Sequence, residues 1–354
     1  MANEPRTMRA WRTHEYGRPI DVLRLDTVPV PEPDAGEVLV RVQAIPFNLN
    51  DLERINGGNM MVRPELPYAP GMEVMGIVDA CGAGTEAWQG QRVVAMPKGA
   101  HGGFAEYAVC PAVSTFEMPD AIPLPEAAAL YFPYHLAWLG LYDRADLQAG
   151  ERVLIHAAAG GSGSAAIQLA KHRGAFVFAT AGTDEKVEWC RELGADVAIN
   201  YRDTDFGAVV LEATRNRGVD VVFDNVGEAV MERSLACTAY NGRYLMMGFA
   251  SNKVVADEPF VVPRRIALAN VKLCGVLLAY AEPAMADMVK TAMGWNFVSA
   301  DLGREIMGSV VQLVMKGTVR SIVGRVIDFE AIPEAIEAMA DRRTMGRTVV
   351  VLDG

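Results

Sequence analysis

Cysteine is scarce in this chain of 354 residues: Cys81, Cys110, Cys190, Cys237 and Cys274 are odd in number and widely scattered. That spacing excludes a disulfide framework and a paired-cysteine metal knuckle, and it predicts reduced thiols in a reducing compartment. Histidine is as sparse, with His14, His101, His135, His156 and His172 spread out, and no metal cluster is expected from them. Positive charge is in deficit. The 33 Lys+Arg against 44 Asp+Glu leave a formal balance of −11, which argues against a broad phosphate-binding face and so against nucleic acid as a partner. No apolar run approaches the ~20 residues of a spanning helix, and Met1 to Thr7 lack an apolar signal core. A soluble, cytoplasmic chain with no membrane association is expected.

What is present is core material. With 51% hydrophobic and 22% charged residues the composition is globular, and the length exceeds what one core normally serves, so two domains are expected. From Met8 to about Ala112 the chain reads as short strands between turn residues, such as Val38 to Val42 after Pro33-Asp34-Ala35-Gly36. Near Pro123 the texture changes to apolar-periodic helix, Glu126 to Leu130 and Leu136 to Leu141. Between 152 and 276 apolar strands alternate with helices: Val153–Ile155, Ala175–Ala179, Val197–Ile199, Val219–Phe223 and Tyr244–Met247, with helices from Ser164, Asp184 and Phe206. Continuous apolar strands separated by helices mean a parallel sheet covered on both faces. The fold class is therefore α/β, a β-rich domain plus a doubly wound one. The tail again carries strands, Val323–Ile327 and Thr348–Leu352, and is expected to complete the first domain. The expected boundaries are 1–126, 127–285 and 286–354.

The strongest local signal is Val153-Leu154-Ile155-His156-Ala157-Ala158-Ala159-Gly160-Gly161-Ser162-Gly163, running directly into a helix. A pyrophosphate must come close to the positive end of a helix, so the turn before it cannot carry bulky side chains. The strand before, the helix after and the next strand supply the context that this motif needs. Ala159, Gly160, Gly161, Ser162 and Gly163 are assigned to a dinucleotide. About 20 residues on, where NAD-binding domains place an acid on the ribose, stand Thr180-Ala181-Gly182-Thr183, with no carboxylate. Lys186 follows one turn into the next helix, and Tyr201 and Arg202 follow the third strand. Lys186 reads either as a phosphate contact or as a solvated helix lysine, and Asp184 as an N-cap. The missing acid favours NADPH over NADH, with Thr180, Gly182, Thr183, Lys186 and Tyr201 at its adenosine end.

Together with Gly71-Met72-Glu73-Val74-Met75-Gly76, Gly102-Gly103-Phe104-Ala105-Glu106-Tyr107 and the closing Gly346-Arg347-Thr348-Val349-Val350-Val351, this glycine turn resembles the medium-chain dehydrogenase/reductase superfamily. The nearest pattern is its zinc-free quinone oxidoreductase branch, also called zeta-crystallin-like, and the resemblance spans about residues 8 to 352. It implies a GroES-like catalytic domain, built from the N-terminal part and the tail, around an inserted Rossmann domain. Where zinc-dependent members keep their catalytic ligands, this chain aligns Asn48, Met72 and Phe132. Amide oxygen, thioether and phenyl do not replace thiolate and imidazole around zinc, so no metal is expected.

Without a Lewis acid, a conjugated acceptor is the easier hydride acceptor, because its charge spreads onto a distant oxygen that hydrogen bonds can hold. The expected activity is NADPH-dependent reduction of a quinone or an α,β-unsaturated carbonyl compound; a weakly catalytic NADPH-binding crystallin and a zinc-type alcohol dehydrogenase are the alternatives. The resemblance places Asn48 beside the nicotinamide, donating to a substrate oxygen or orienting the carboxamide. Asp51 and Arg54 read as a solvated helix face. Some relatives carry a tyrosine soon after the asparagine as proton donor, whereas Asp51 to Gly58 contain none. Tyr131, Tyr134 and His135 cluster further on, with Tyr134 and His135 the stronger donor candidates and water the alternative. His156 reads as a packed core histidine. Asn225, and Gly248, Phe249 and Ala250 after the next strand, are expected to close on the cofactor; Arg347 reads either as a cofactor contact or as a surface-strand arginine. Met60 and Met61 read as apolar lining. Relatives commonly dimerise through the Rossmann sheet edge, for which Lys272–Val276 is the candidate strand of a homodimer.

Overall fold

The computed structural model describes residues 6–58, 63–247, 263–341 and 343–352. They divide into two compact units, Met1–Tyr131 with Ala279–Met315 and Arg320–Gly354, and Phe132–Leu278 with Lys316–Val319. The division after Tyr131 lies at the start of the helix Tyr131–Trp138, a few residues beyond the expected change of texture.

The first unit is built on strands β1 (Thr7–Thr13), β2 (Leu23–Pro29), β3 (Glu37–Pro46), β4 (Val74–Cys81), β5 (Arg92–Ala95), β6 (Tyr107–Pro111) and β7 (Thr115–Glu117). β1 and β2 form an antiparallel ribbon, and β3 is the hub of the larger sheet, pairing with both β4 and β6. Its inward residues Val38, Val40, Val42 and Ile45 pack into a core with Val74, Val78, Phe104 and Val350. The alternation of apolar residues along β3 is what one buried face requires. Gly76 of β4 has a steric reason: a Cβ there would lie 2.0 Å from the Arg41 carbonyl oxygen of the neighbouring strand.

The second unit holds β8 (Arg152–Ile155), β9 (Phe176–Ala181), β10 (Val197–Asn200), β11 (Val219–Asp224), β12 (Thr238–Met246) and β13 (Lys272–Gly275). Among the described residues they form one sheet in the order β10-β9-β8-β11-β12-β13, parallel throughout. This is the dinucleotide-binding order, which reverses direction between β8 and β11 and leaves a crevice at their carboxyl ends. β11 is buried along its whole length, Asp220 and Asp224 included, as a central strand covered on both faces should be.

The chain then returns. β14 (Val323–Asp328) lies parallel to β15 (Arg347–Val351), and β15 pairs antiparallel with β3, Val350 opposite Ile45. The tail thus completes the first sheet. Along the chain, between the two units' strands, the tail also carries a helix, Ala300–Met315.

Candidate functional site

The glycine turn leaves the carboxyl end of β8 and enters the helix Gly161–His172. Gly160 is the N-cap, and no side chain caps the first turn. Its orphan N–H groups and the positive end of the helix dipole are therefore available to an anion. Gly163 is the residue with least tolerance. A Cβ there would stand 2.4 Å from the Ala157 carbonyl oxygen and 2.6 Å from Ala158 Cα, so any side chain would lever the helix away from the turn. Ala158 and Ala159 are buried beneath it. The turn is also tied sideways: the His156 N–H donates to Phe223 O of β11 (3.0 Å) and the Ala158 N–H to Thr180 O of β9 (3.1 Å).

Beside the turn, the carboxyl end of β9 carries Gly182. A Cβ built on it would lie 2.8 Å from the Tyr201 hydroxyl and 3.5 Å from Arg202 Nε, so both side chains reach over this glycine. Thr183, rather than Asp184, is the N-cap of the next helix; its hydroxyl accepts from the Lys186 N–H at 3.3 Å. Asp184 is the first helical residue and accepts from Asn200 Nδ2 at 2.9 Å. Lys186 is half-buried and Tyr201 exposed. Tyr201 and Arg202 thus cover Gly182 at the end of β9, and Lys186 stands in the first turn of the helix that follows.

Thr180 behaves differently from its neighbours. It is buried, and its hydroxyl lies 2.9 Å from His156 Nδ1 inside the core. His156 is buried too, as a packed core histidine should be, and burial pushes its pKa down to about 3. On the other side of β8, the Asp224 carboxylate shapes the Asn225 loop: Oδ1 accepts from the N–H groups of Val226 (2.7 Å) and Gly227 (2.9 Å), and Oδ2 from the Tyr244 hydroxyl (2.6 Å). Gly248, Phe249 and Ala250 lie outside the described residues, as do Met60 and Met61.

In the first unit Asn48 is the N-cap of the helix Leu49–Ile55 and is buried. Its N–H donates to Asp51 Oδ2, while the Met72 N–H donates to Asp51 Oδ1, both at 2.9 Å. The Asn48 amide nitrogen donates inward, to Glu73 Oε2 at 3.1 Å and more weakly to Pro46 O at 3.4 Å. The same Glu73 oxygen accepts from Arg347 Nη2 at 2.7 Å, and that nitrogen also donates to Phe47 O at 3.0 Å.

Three expectations are revised by this cluster. Arg347 is not a surface-strand arginine: it is buried, and its Nη2 is committed within the first unit. Asp51 and Arg54 are not a solvated face either, since both are buried and the Arg54 guanidinium donates to Ala100 O. Burial raises the Asp51 pKa to about 6, against the opposing pull of Arg54, the two N–H donors and Arg347. Finally, with both amide hydrogens directed inward, the atom that Asn48 can offer a ligand is its oxygen, an acceptor.

Tyr134 and His135 sit in the interior of the second unit. The Tyr134 hydroxyl accepts from Gln168 Nε2 at 2.9 Å, and His135 is held neutral by burial, its pKa pushed down to about 3. A fully buried neutral imidazole keeps one ring N–H but is a very weak acid at physiological pH, which argues against the proton-donor role expected of it. Tyr131, in the first unit, is buried against Phe116, ring centroids 5.0 Å apart. Sequence reasoning missed the Glu73–Arg347 pair. Its one signal was a lone charge inside each of two apolar stretches. The residues at the metal-ligand positions give no zinc-like donor set, and among the described residues no group of three or more His, Cys, Asp or Glu is arranged to hold a metal ion.

Comparison with known proteins places these features in context. Residues 34–120 match the model of an alcohol dehydrogenase GroES-like domain, and residues 161–295 that of a zinc-binding dehydrogenase. Quinone oxidoreductase of Rattus norvegicus is 34% identical over 251 residues, which cover 70% of this chain and 75% of that protein. The Homo sapiens quinone oxidoreductase is 32% identical over 250 residues, with the same coverage of 70% and 75%. Among solved structures, a mycobacterial protein complexed with NADPH is 29% identical, with a TM-score of 0.82 over 97% of this chain and 99% of that one. A quinone oxidoreductase of Pseudomonas syringae is 26% identical, with a TM-score of 0.83 over 97% and 99%.

Proposed function

Because the chain belongs to the quinone oxidoreductase branch of the medium-chain dehydrogenase/reductase superfamily, we propose that it is an NADPH-dependent, zinc-independent reductase of quinones or α,β-unsaturated carbonyl compounds. One observation carries the reading. The dinucleotide turn is intact, while the zinc-ligand positions hold Asn48, whose amide nitrogen is already bonded to Glu73, together with Met72 and Phe132. A thioether and a phenyl ring do not fit a catalytic zinc, so electrostatic help must come from hydrogen bonds, which suffice for a conjugated acceptor.

The residues suited to hold the coenzyme are the turn Ala159–Gly163, with its helix N-terminus on the pyrophosphate, and Asn225 at the far side of β8. Gly182, Thr183, Lys186, Tyr201 and Arg202 suit the adenosine 2′-phosphate, because a guanidinium and a phenol lie over Gly182, where NAD-binding domains place a carboxylate, and Lys186 follows in the next helix. When bound, the coenzyme supplies a hydride from C4 of its nicotinamide. Asn48 contributes an acceptor oxygen, which suits the N–H of the nicotinamide carboxamide better than the carbonyl oxygen of a substrate. With Tyr134 and His135 enclosed in the core, the proton that completes the reduction is assigned to water.

We assign β13, the terminal strand of the parallel sheet, as the pairing edge of a homodimer, which light scattering would report as twice the chain mass. No helix among the described residues is long and apolar enough to cross a membrane, and a cytoplasmic location is proposed. The test is steady-state oxidation of NADPH and of NADH, without added metal, on presenting 1,4-benzoquinone, a simple enone and an enoyl thioester. Turnover with at least one acceptor, faster with NADPH, is expected. Tight NADPH binding without turnover on any acceptor would point instead to the crystallin-like alternative.

A further inference from the structure

We propose that Asp51 is a positioning residue of the reductase site: its buried carboxylate closes a ring of contacts through Asn48, Met72 and Glu73 that sets where the Asn48 amide stands. This deepens the reductase reading above and rests on it, because that reading puts Asn48 beside the nicotinamide.

An acid at the third position of a helix ordinarily caps its own first turn and nothing else. Asp51 does cap its helix, Oδ2 accepting from the Asn48 N–H at 2.9 Å. Its other oxygen leaves the helix: Oδ1 accepts from the Met72 N–H, also at 2.9 Å and 21 positions along the chain. Met72 is peptide-bonded to Glu73, and Glu73 Oε2 accepts from the Asn48 side-chain nitrogen at 3.1 Å. The path therefore returns to the residue where it began. Asn48 is held by its backbone through Asp51 and by its side chain through Glu73, and the Met72–Glu73 peptide joins the two carboxylates. Arg347 Nη2 pins the same Glu73 oxygen at 2.7 Å. Asp51 and Glu73 are wholly enclosed, and Asn48 and Met72 nearly so.

What makes this more than helix capping is the chemistry of the two donors. Both Asp51 oxygens face N–H groups, so only a carboxylate satisfies them together. An isosteric amide has one oxygen and must turn its NH2 group against the second donor. Inside an enclosed site that mismatch is costly, and it is relieved by moving the segment that carries Met72 and Glu73 relative to Asn48. The Asn48 amide, bonded to Glu73, moves with it. Asp51 thus acts on the reaction through Asn48 alone. Transfer of a hydride is sensitive to misplacement on a scale of about 1 Å, whereas binding of the coenzyme by the glycine turn is not coupled to this ring.

The test is a double-variant cycle of wild type, Asp51→Asn, Asn48→Ala and the two combined, run well above the Asp51 pKa of about 6 so that the carboxylate is ionised. Stopped-flow hydride transfer from NADPH to an acceptor that wild type reduces is expected to slow on the order of tenfold in Asp51→Asn, with the Kd for NADPH within about twofold of wild type. In the Asn48→Ala background the same substitution should change the rate by less than about twofold, because the residue it acts through is gone. In coenzyme-free protein carrying isotope-labelled asparagine, the Asn48 side-chain amide resonance, assigned by its loss in Asn48→Ala, should shift in Asp51→Asn. A merely structural role would lower the melting temperature and move neither that resonance nor the transfer rate of folded enzyme. If Asp51→Asn does not fold, Asp51→Glu, which keeps the charge but displaces the carboxylate, takes its place with the same expectations. Unchanged transfer, equal losses with and without Asn48, or an unmoved resonance would each overturn the inference. Wild type that binds NADPH yet reduces no acceptor would instead sink the reductase reading, and the resonance would still decide whether Asp51 positions Asn48.

Discussion

The Arg347 guanidinium donates to Glu73 Oε2 at 2.7 Å, joining residues 274 positions apart inside one unit. Both side chains are almost fully enclosed, 3% and 1% exposed, so neither charge has water to fall back on. Arg347→Met is expected to cost about 3–5 kcal/mol, because it leaves a buried carboxylate without its cation. Glu73→Leu combined with Arg347→Met should recover much of that loss. Urea midpoints at neutral pH check both; a single variant as stable as wild type would show that the pair carries no net energy.

Asn48 depends on that pair, since Glu73 Oε2 also holds its amide nitrogen. Asn48→Asp would set a second carboxylate against Glu73 and turn the group away. Turnover is expected to fall on the order of 10²-fold through misplacement of the reacting groups, with little change in the Kd for NADPH if the adenosine half supplies most of the binding. Stopped-flow hydride transfer separates the two quantities, and unaltered transfer in a folded variant would remove Asn48 from the site.

Acid stability should report three buried groups with opposite signs. His135 and His156, both pushed down to about 3 by burial, bind protons only when unfolded between about pH 6.5 and 3, so the stability that they contribute is present above pH 6.5 and lost on acidification. Asp51, pushed up to about 6 by burial from 3.8, binds a proton in the folded state first, and its contribution is lost as pH rises through about 6. Within pH 4–6 the two effects oppose each other. Asp51→Asn removes the compensating one, so its unfolding free energy should fall more steeply on acidification, by about one proton in slope. Parallel pH profiles for wild type and variant would contradict the Asp51 shift.

Coenzyme selection is assigned to the side chains over Gly182. Arg202→Ala with Tyr201→Ala should weaken NADPH about tenfold, the loss of one charge-assisted bond to phosphate, and leave NADH nearly unaffected. Competitive binding of the two coenzymes checks this. Equal loss of both would move the phosphate contact elsewhere.

Metal removal is expected to change nothing. Dialysis against a strong chelator should leave turnover and melting temperature intact, and elemental analysis of active enzyme should show zinc well below one per chain. Stoichiometric zinc that restores lost activity would favour the alcohol dehydrogenase reading.

Part of this protein is written locally in its sequence, and that part was readable: the strand, turn and helix from Val153 to His172, the apolar strands of the parallel sheet, and the absence of an acid after β9. Each depends on residues close together in the chain, where periodicity and the size of glycine decide the conformation. The sequence by itself therefore determined the fold class and the dinucleotide turn. Only tertiary structure decided that Arg347 lies buried on Glu73, that Asp51 is buried rather than solvated, that Tyr134 and His135 are enclosed, and that Thr180 turns inward to His156. Such pairings are set by which distant strands lie side by side, and the cost of burying a polar group without a partner fixes each rotamer only once that neighbour has arrived.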